Sequence, residues 1–386
     1  MLFINAQLLT MDGPDIPEGF LLIKGDKIAA LGPMTACPDQ YGGEMIDLQG
    51  KLLLPGFIDA HSHLGLFGDS LGVEGDDGNE DTDPITPHLR ALDAINPFDR
   101  CFAEAAQSGV TTSVVSPGSA NPIGGQICAI KNHGRWIDRM VVREPLAIKF
   151  AFGENPKMCY GHKNQAPVTR MATAALIREQ LSKAKRYMED CEAAAEDDEL
   201  EEPEYDAKCE ALVPLLSGQI RAHIHAHQAY DILSGIRIAK EFGFSFSLIH
   251  CTEGHMIADV LAEMGADVIC GPLMGTRSKP ELGNMVPDNC AKLAQAGIPI
   301  AISTDHPEVP ANYLVMSAVI AATHGLDQRK TLEAITCNAA KAADLFDRIG
   351  SLTPGKDADL VVLEGGLPLS VETKPAMVFI DGCRIV

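Results

Sequence analysis

Residues 52–63 read LLLPGFIDAHSH, an apolar run that ends in two histidines one residue apart. Side chains at positions i and i+2 of a strand share a face, so a strand through this run points His61 and His63 the same way. Neutral imidazole is the commonest nitrogen ligand of zinc and similar divalent ions. Two polar residues after a core strand would give the same pattern, so a metal site requires further ligands along the chain.

Length and composition set the class of protein. The 386 residues suit one large α/β barrel or two domains, and 46% hydrophobic residues are enough for a core. The formal net charge of −22 argues against nucleic acid and anionic membranes as partners, because both attract basic surfaces. Residues 189–206 contain 11 acidic residues and no basic one, which we interpret as a solvated helix face or loop.

Cysteine spacing and the N-terminal residues predict a cytoplasmic protein. The 11 cysteines include no C-x-x-C pair, which indicates reduced thiols rather than a zinc ribbon or a disulfide framework. The N-terminal residues lack a basic segment followed by a long apolar core, so we predict no signal peptide, and no apolar run is long enough to span a membrane.

The pattern of apolar runs divides the chain into a central part and two ends. Residues 1–54 and 352–386 contain short strands and turns, and we expect them to pair into a small composite β-sandwich, since neither end alone can bury a face. Residues 55–351 alternate apolar strands with amphipathic helices, which predicts a (β/α)8 TIM barrel, with a doubly wound sheet as the competing architecture. Residues 169–217 form a mostly helical, acidic insertion in this interpretation.

Potential metal ligands follow or end several predicted strands. His223, His225 and His227 alternate along one strand, His250 ends the next, and Asp305 follows a later one. Each histidine alone is equally explained as a core residue bonded to a backbone carbonyl. In barrels of this fold the active site lies at the carboxyl ends of the strands. The placement of these histidines and Asp305 at such ends therefore favours a metal site. Arg277, in the loop after the strand ending at Cys270, could bind a carboxylate with two donors or simply be solvated.

The order of these residues resembles the amidohydrolase superfamily over nearly the whole chain, and is most similar to the branch of imidazolonepropionase and Xaa-Pro dipeptidases. Four features carry the resemblance: the PGFIDAHSH stretch at 55–63, the later strand-end histidines, the Ser303-Thr304-Asp305 ending, and the PGKDADL stretch at 354–360. The resemblance implies a metal-dependent TIM-barrel hydrolase, and at the family level a homo-oligomer.

Carried over to this sequence, the resemblance implies roles for individual residues. His61 and His63 would bind the more buried metal, His225 and His250 a second or shared one, and Asp305 would both contact metal and transfer protons. His227 would lie beside the site, near substrate. Two-metal members also need a bridging anion, here a carboxylated Lys149 or the alternative Glu154.

The expected chemistry is therefore hydrolysis of a carbon–nitrogen bond in an amide, peptide or lactam of a small molecule, with one or two divalent ions, zinc being the expected metal. Two alternatives remain open at this point. One is deamination of a ring amine with a single metal. The other is a barrel that keeps its metal for stability or for binding without turnover.

Overall fold

The computed structural model describes residues 1–69, 71–364 and 369–386, and these fold into two sheets. The strands of the first sheet come from both ends of the chain: β1 Leu2–Leu8, β2 Ile16–Lys24, β3 Lys27–Pro33, β4 Met45–Asp47, β5 Leu52–Pro55, and, from the C-terminal end, β14 Leu360–Leu363, β15 Pro375–Ile380 and β16 Cys383–Arg384. The second sheet contains β6 Phe57–Ser62, β7 Val110–Val115, β8 Ile123–Lys131, β9 Val141–Ala151, β10 Arg221–Ala226, β11 Phe246–His250, β12 Asp267–Cys270 and β13 Ile300–Ile302.

The helices of the described residues are α1 Arg100–Gln107, α2 Glu154–Gly161, α3 Arg170–Glu196, α4 Ala207–Glu210, α5 Val213–Leu216, α6 Ala229–Phe242, α7 Ala258–Met264, α8 Asn289–Gln295, α9 Leu314–Thr323, α10 Gln328–Ala334 and α11 Cys337–Ala342. Thr169 caps α3 by accepting a hydrogen bond from the amide of Ala172. Within the described part of the chain, no helix has the length and apolar content needed to cross a membrane.

The second sheet forms a mostly closed barrel of the TIM type, in which the eight strands lie side by side in sequence order from β6 to β13. The two outer strands meet through the residues that follow them. The amide of Asp305 donates to the carbonyl of His61 at 3.1 Å, and the amide of His63 donates to the carbonyl of His306 at 2.9 Å. Closure therefore brings the ends of β6 and β13, and the polar residues there, into direct contact.

One strand departs from the predicted alternation of parallel strand and helix. β8 runs antiparallel to both β7 and β9, so the barrel is not a regular (β/α)8 repeat at this point. β8 starts with Ile123-Gly124-Gly125, and two adjacent glycines are also typical of a turn. In the structure Gly125 has φ +132°, and a Cβ there would lie 2.5 Å from the carbonyl oxygen of Leu89. The glycine is needed for a close approach of two backbones inside a strand, not for a turn.

The two ends of the chain share the first sheet, as expected. β5 pairs antiparallel with β14, with Leu54 opposite Val361, and β1 pairs with β2, β4 and β5. These described strands belong to one hydrogen-bonded sheet, so the two-layered sandwich is not confirmed and the domain limits stay predictions. The insertion between β9 and β10 carries α3, α4 and α5, and its acidic run at 189–206 covers the exposed last turns of α3 and the segment before α4.

Candidate metal centre

The first group of potential ligands lies where β6 and β13 meet. His61 is on β6, His63 follows that strand, and Asp305 comes three residues after β13. The Nε2 atoms of His61 and His63 each lie 3.4 Å from Oδ1 of Asp305. All three side chains are buried or nearly so, and their ligand atoms lie within 4.8 Å of one another. This spacing is suited to a single ion between them.

The second group lies beside the first, at the ends of β10 and β11. His225, His227 and His250 place their ligand atoms within 4.8 Å of one another. The ring of His250 is stacked on His227 with centroids 4.5 Å apart, and it lies edge-on to His225 at the same distance. It also lies 5.7 Å from the ring of His61. The two groups are therefore neighbours in one site.

Hydrogen bonds to Nδ1 fix the orientation of four of these rings. His63 and His250 donate from Nδ1 to the carbonyl oxygens of Ser116 and Gly271, at 2.6 and 2.7 Å. A carbonyl only accepts, so Nδ1 must carry the proton in both rings, and in a neutral ring Nε2 is free to bind a metal. His225 and His227 likewise use Nδ1, with the hydroxyls of Ser119 at 2.9 Å and Thr252 at 2.7 Å.

Burial favours the neutral form of four of the imidazoles in the two groups. It lowers the pKa of His61, His225 and His227 well below the usual histidine value, and it lowers the pKa of His250 to about 4. Burial also acts on Asp305, where it would raise the pKa, but the surrounding imidazoles of His250, His61 and His63 hold that pKa well below its ordinary value. The site therefore combines an ionised carboxylate with unprotonated rings, the forms that bind metals.

Lys149 lies against the first group in the barrel interior. Its side chain is fully buried on β9, and Nζ is 3.3 Å from Nε2 of His61. Burial lowers the pKa of this lysine from 10.5 to about 7, which makes the uncharged amine available at neutral pH. Its charge also contributes to the lowered pKa of His225 and of His250. The amine thus lies close to both groups of ligands.

The backbone at two of the ligands is held in an unusual conformation. His250 has φ +69° and Asp305 has φ +56°, a region that non-glycine residues rarely occupy and that is concentrated at functional sites. The segment before Asp305 is fixed by the fully buried Asp59, which accepts hydrogen bonds from the backbone amide and the hydroxyl of Thr304. Asp59 belongs to the motif that supplies His61, so one segment both carries a ligand and positions another.

Other residues predicted from the sequence lie away from the two groups. Glu154 begins α2 and accepts a hydrogen bond at 3.3 Å from the amide of Glu281, outside both groups. Arg277 is exposed and donates to the carbonyl of Met285, and it lines a cavity that adjoins the one above the histidines and shares His250 and Thr252 with it. His223 is fully buried deeper in the barrel, where burial lowers its pKa to about 3.

A cavity of about 370 Å³ opens above the ligands. His63, His225, His227, His250 and Asp305 form part of its wall, and the loops after the strands supply the rest. Sequence reasoning missed several polar residues of this wall, among them Ser119, Thr252 and Lys279. All three lie in loops, and no periodic pattern marks them.

The donor set fits a divalent metal. Oδ1 of Asp305 and Nε2 of His225 are buried and make no hydrogen bond with the described residues, although each points into its group of ligands. A buried polar atom without a partner is costly, and coordination of a cation would satisfy it. Imidazole nitrogen with carboxylate oxygen is a zinc-type ligand set.

Comparisons with known proteins agree with this geometry. Residues 52–385 match the model of the Amidohydrolase family. An amidohydrolase of known structure from Thermotoga maritima is 42% identical, with a TM-score of 0.95, and the match covers 100% of this chain and 99% of the other. Imidazolonepropionase from Fusobacterium nucleatum is 25% identical over 92% of this chain and 87% of its own length.

A further relative is the amidohydrolase tasK of Hapsidospora irregularis, which is 31% identical over 87% of this chain. The present chain spans only 36% of the length of that protein. The family match covers most of the chain, including every histidine and carboxylate of both ligand groups. This chain therefore belongs to the amidohydrolase family.

Proposed function

We propose that this protein is a metal-dependent hydrolase that cleaves a carbon–nitrogen bond of a small amide, peptide or lactam. One observation carries the proposal. Two groups of buried histidines, one of them with an aspartate, lie side by side at the floor of an open cavity, with a buried lysine against them. Zinc is the ion that this set of nitrogen and oxygen ligands suits best.

Each side chain has a separate task in this proposal. His61, His63 and Asp305 would hold one ion, and His225 and His250, with His227 beside them, would hold a second or shared one. A divalent ion would lower the pKa of a bound water to about 7 and polarise a carbonyl oxygen.

Asp305 is the residue placed to move the proton. Its carboxylate is ionised, lies at the cavity wall, and is held by the hydrogen bonds of the preceding Thr304 to Asp59. It can therefore accept the proton of the attacking water and pass it to the departing nitrogen, because a carboxylate works as both base and acid when it stays within reach of both atoms. Amide cleavage requires both transfers.

Lys149 is proposed as the bridging group after carboxylation of its amine. An uncharged amine is the form that reacts with carbon dioxide, and burial lowers the pKa of this lysine to about 7. Carboxylation would turn a costly buried cation into an anion beside the metal ligands. Glu154, the alternative bridge, hydrogen-bonds to the amide of Glu281 and belongs to neither ligand group.

Metal analysis combined with an activity screen tests the proposal. The purified protein is analysed for bound metals, then assayed on dipeptides, N-acyl amino acids and lactams before and after chelation and zinc reloading. We expect one or two zinc ions per chain and amide hydrolysis that chelation abolishes. Release of ammonia from a ring amine by a one-metal protein would instead support deamination, and metal binding without turnover of any class would support a non-catalytic role.

A further inference from the structure

The cavity above the metal centre has one positively charged side chain in its described wall. Lys279 is the only lysine or arginine among the described residues that line it, and Asp305 and Glu308 are the acidic ones. The lysine lies in the loop between β12 and the following short helical turn. The protein as a whole is acidic, so a positively charged side chain in this cavity can attract an anionic group of a substrate.

Lys279 is held in place from behind by a buried carboxylate. Its Nζ lies 2.7 Å from Oε1 of Glu281, whose side chain is 1% exposed, while the lysine side chain is 29% exposed. The other oxygen of Glu281 accepts a hydrogen bond at 2.9 Å from the amide of Glu154. Gly153 permits this packing, because a Cβ at its φ of +90° would lie 2.7 Å from that oxygen. The pair therefore presents its positive end to the cavity.

The ammonium group still has a donor available. Lysine has three N–H donors. Lys279 donates one to Oδ1 of Asn155 at 3.1 Å, while its contact with Oε1 of Glu281 at 2.7 Å is an ion pair without hydrogen-bond geometry. Within the described part of the chain, no third partner takes the remaining donor. Because this side chain lines the cavity and Glu281 does not, the remaining donor can serve a bound molecule.

The position of Lys279 relates this donor to the reacting centre. Oε1 of Glu281, the atom that contacts Lys279, also lies 3.6 Å from Nε2 of His227. The ammonium is thus one residue removed from the second group of ligands. A group bound by Lys279 would lie only a few bonds from a carbonyl held at the metal centre.

We infer that Lys279 binds a carboxylate of the substrate, so that the preferred substrates carry a carboxylate close to the scissile bond, as N-acyl amino acids and dipeptides with a free C-terminus do. This inference rests on the proposed amide hydrolysis and adds the substrate class. It also replaces Arg277, whose guanidinium is exposed and donates to Met285, as the anion-binding residue of the loop.

Matched substrates and variants test the role of Lys279. The N-acetyl derivatives of alanine, leucine and proline are compared with their N-methylamides, which lack the charge, in zinc-loaded wild type, Lys279→Met, Lys279→Arg and the control Arg277→Met. We expect Lys279→Met to lower kcat/KM for the carboxylates about 10- to 100-fold, mainly through KM, because a hydrogen bond to a charged group is lost. Activity on the N-methylamides should change little, and Lys279→Arg and Arg277→Met should resemble wild type.

The double variant Lys279→Met/Glu281→Gln separates binding from damage to the loop, since it leaves no buried carboxylate without its cation. It should show the same loss of preference for carboxylates. Equal losses on both substrate series, a loss in Arg277→Met alone, or no preference in the wild type would overturn the inference while leaving amide hydrolysis intact.

Calorimetric titration with the same compounds covers the case in which none is hydrolysed. If the zinc-loaded protein hydrolyses no amide, the proposed function fails. Binding of the N-acetyl amino acids that Lys279→Met weakens would still support the anion site, and no binding of any carboxylate in the series would end it.

Discussion

Replacing Lys149 by methionine distinguishes a metal-bridging lysine from one that simply neutralises a buried carboxylate. The side chain is fully buried, and its nearest polar contact in the described part of the chain is Nε2 of His61 at 3.3 Å, with no ion pair to a carboxylate within 4.0 Å. Methionine has a similar length and no charge. The substitution therefore removes the amine while filling most of the same space.

The size of the expected effect follows from the lowered pKa. Burial shifts the pKa from 10.5 to about 7, and each unit corresponds to 1.36 kcal/mol, so the charged form costs the metal-free fold about 5 kcal/mol. Below pH 7 the folded and unfolded states both carry the proton and the fold bears this full cost. Between pH 7 and 10.5 the unfolded state binds the proton more tightly, so stability rises by up to about 1.4 kcal/mol per pH unit.

Thermal denaturation of chelated protein from pH 7 to pH 9 measures this effect. We expect Lys149→Met to unfold at a higher temperature than wild type at pH 7, and to lose the part of the pH dependence that the lysine causes. After zinc reloading the variant should bind fewer ions than wild type, and bicarbonate should raise the zinc content of wild type only. Lys51→Met, at a partly exposed ion pair with Glu364, is the control for removing a lysine.

Two results would refute the reasoning. A destabilisation of about 3–5 kcal/mol in the metal-free variant would mean that Lys149 acts as the cation of a buried ion pair. Zinc binding equal to that of wild type would remove Lys149 from the metal centre. The two measurements are independent, so either part of the argument can fail alone.

Three further substitutions have expected outcomes. Asp305→Asn should lower kcat by about 100- to 10,000-fold while metal analysis still finds bound zinc. The control Glu308→Gln, in the same cavity wall, should leave kcat near normal. A near-normal kcat in Asp305→Asn would exclude Asp305 from proton transfer. His61→Ala should lose both zinc and activity, as measured by metal analysis, and retention of full zinc would contradict its place among the ligands. Lys131→Met should lower the free energy of unfolding by about 3–5 kcal/mol in denaturant titrations. The reason is that this buried lysine lies between the carboxylates of Asp357 and two further aspartates. The control Lys131→Arg keeps the charge and should recover part of the lost stability.

Much of the barrel could be predicted because its strands are continuous apolar runs. The apolar run at 246–250 coincides with β11, and the apolar runs at 146–152 and 266–270 overlap β9 and β12. β8 was missed because glycine in a strand and glycine in a turn look alike in sequence, and only the approach of Leu89 shows which applies. The two-layered terminal sandwich remained a prediction, because strand patterns predict pairing but not how sheets stack.

The ligand-bearing positions were easier to predict than their surroundings. A residue at the end of a buried strand is placed by the strand, so the sequence predicts that the histidines and Asp305 lie together at one end of the barrel, while their role as metal ligands stays a prediction. Lys279 and Arg277 lie two residues apart in one loop, where side-chain direction depends on local backbone geometry and on contacts with Glu281 and Met285. Such contacts leave no periodic signal, so sequence reasoning favoured the arginine.

The three histidines of β10 show what register adds to periodicity. Alternation places His223, His225 and His227 on one face, but a strand rises about 3.3 Å per residue, so the outer two are about 13 Å apart and cannot share an ion. The residue that departs from regular strand geometry decides which two act together. His250 pairs with Ala226, but its φ of +69° breaks the alternation of β11, and its ring lies between those of His225 and His227, with each centroid 4.5 Å away. His223 instead pairs with Lys149, deeper in the barrel than His225 and His227. Its neutral ring is buried in the barrel interior.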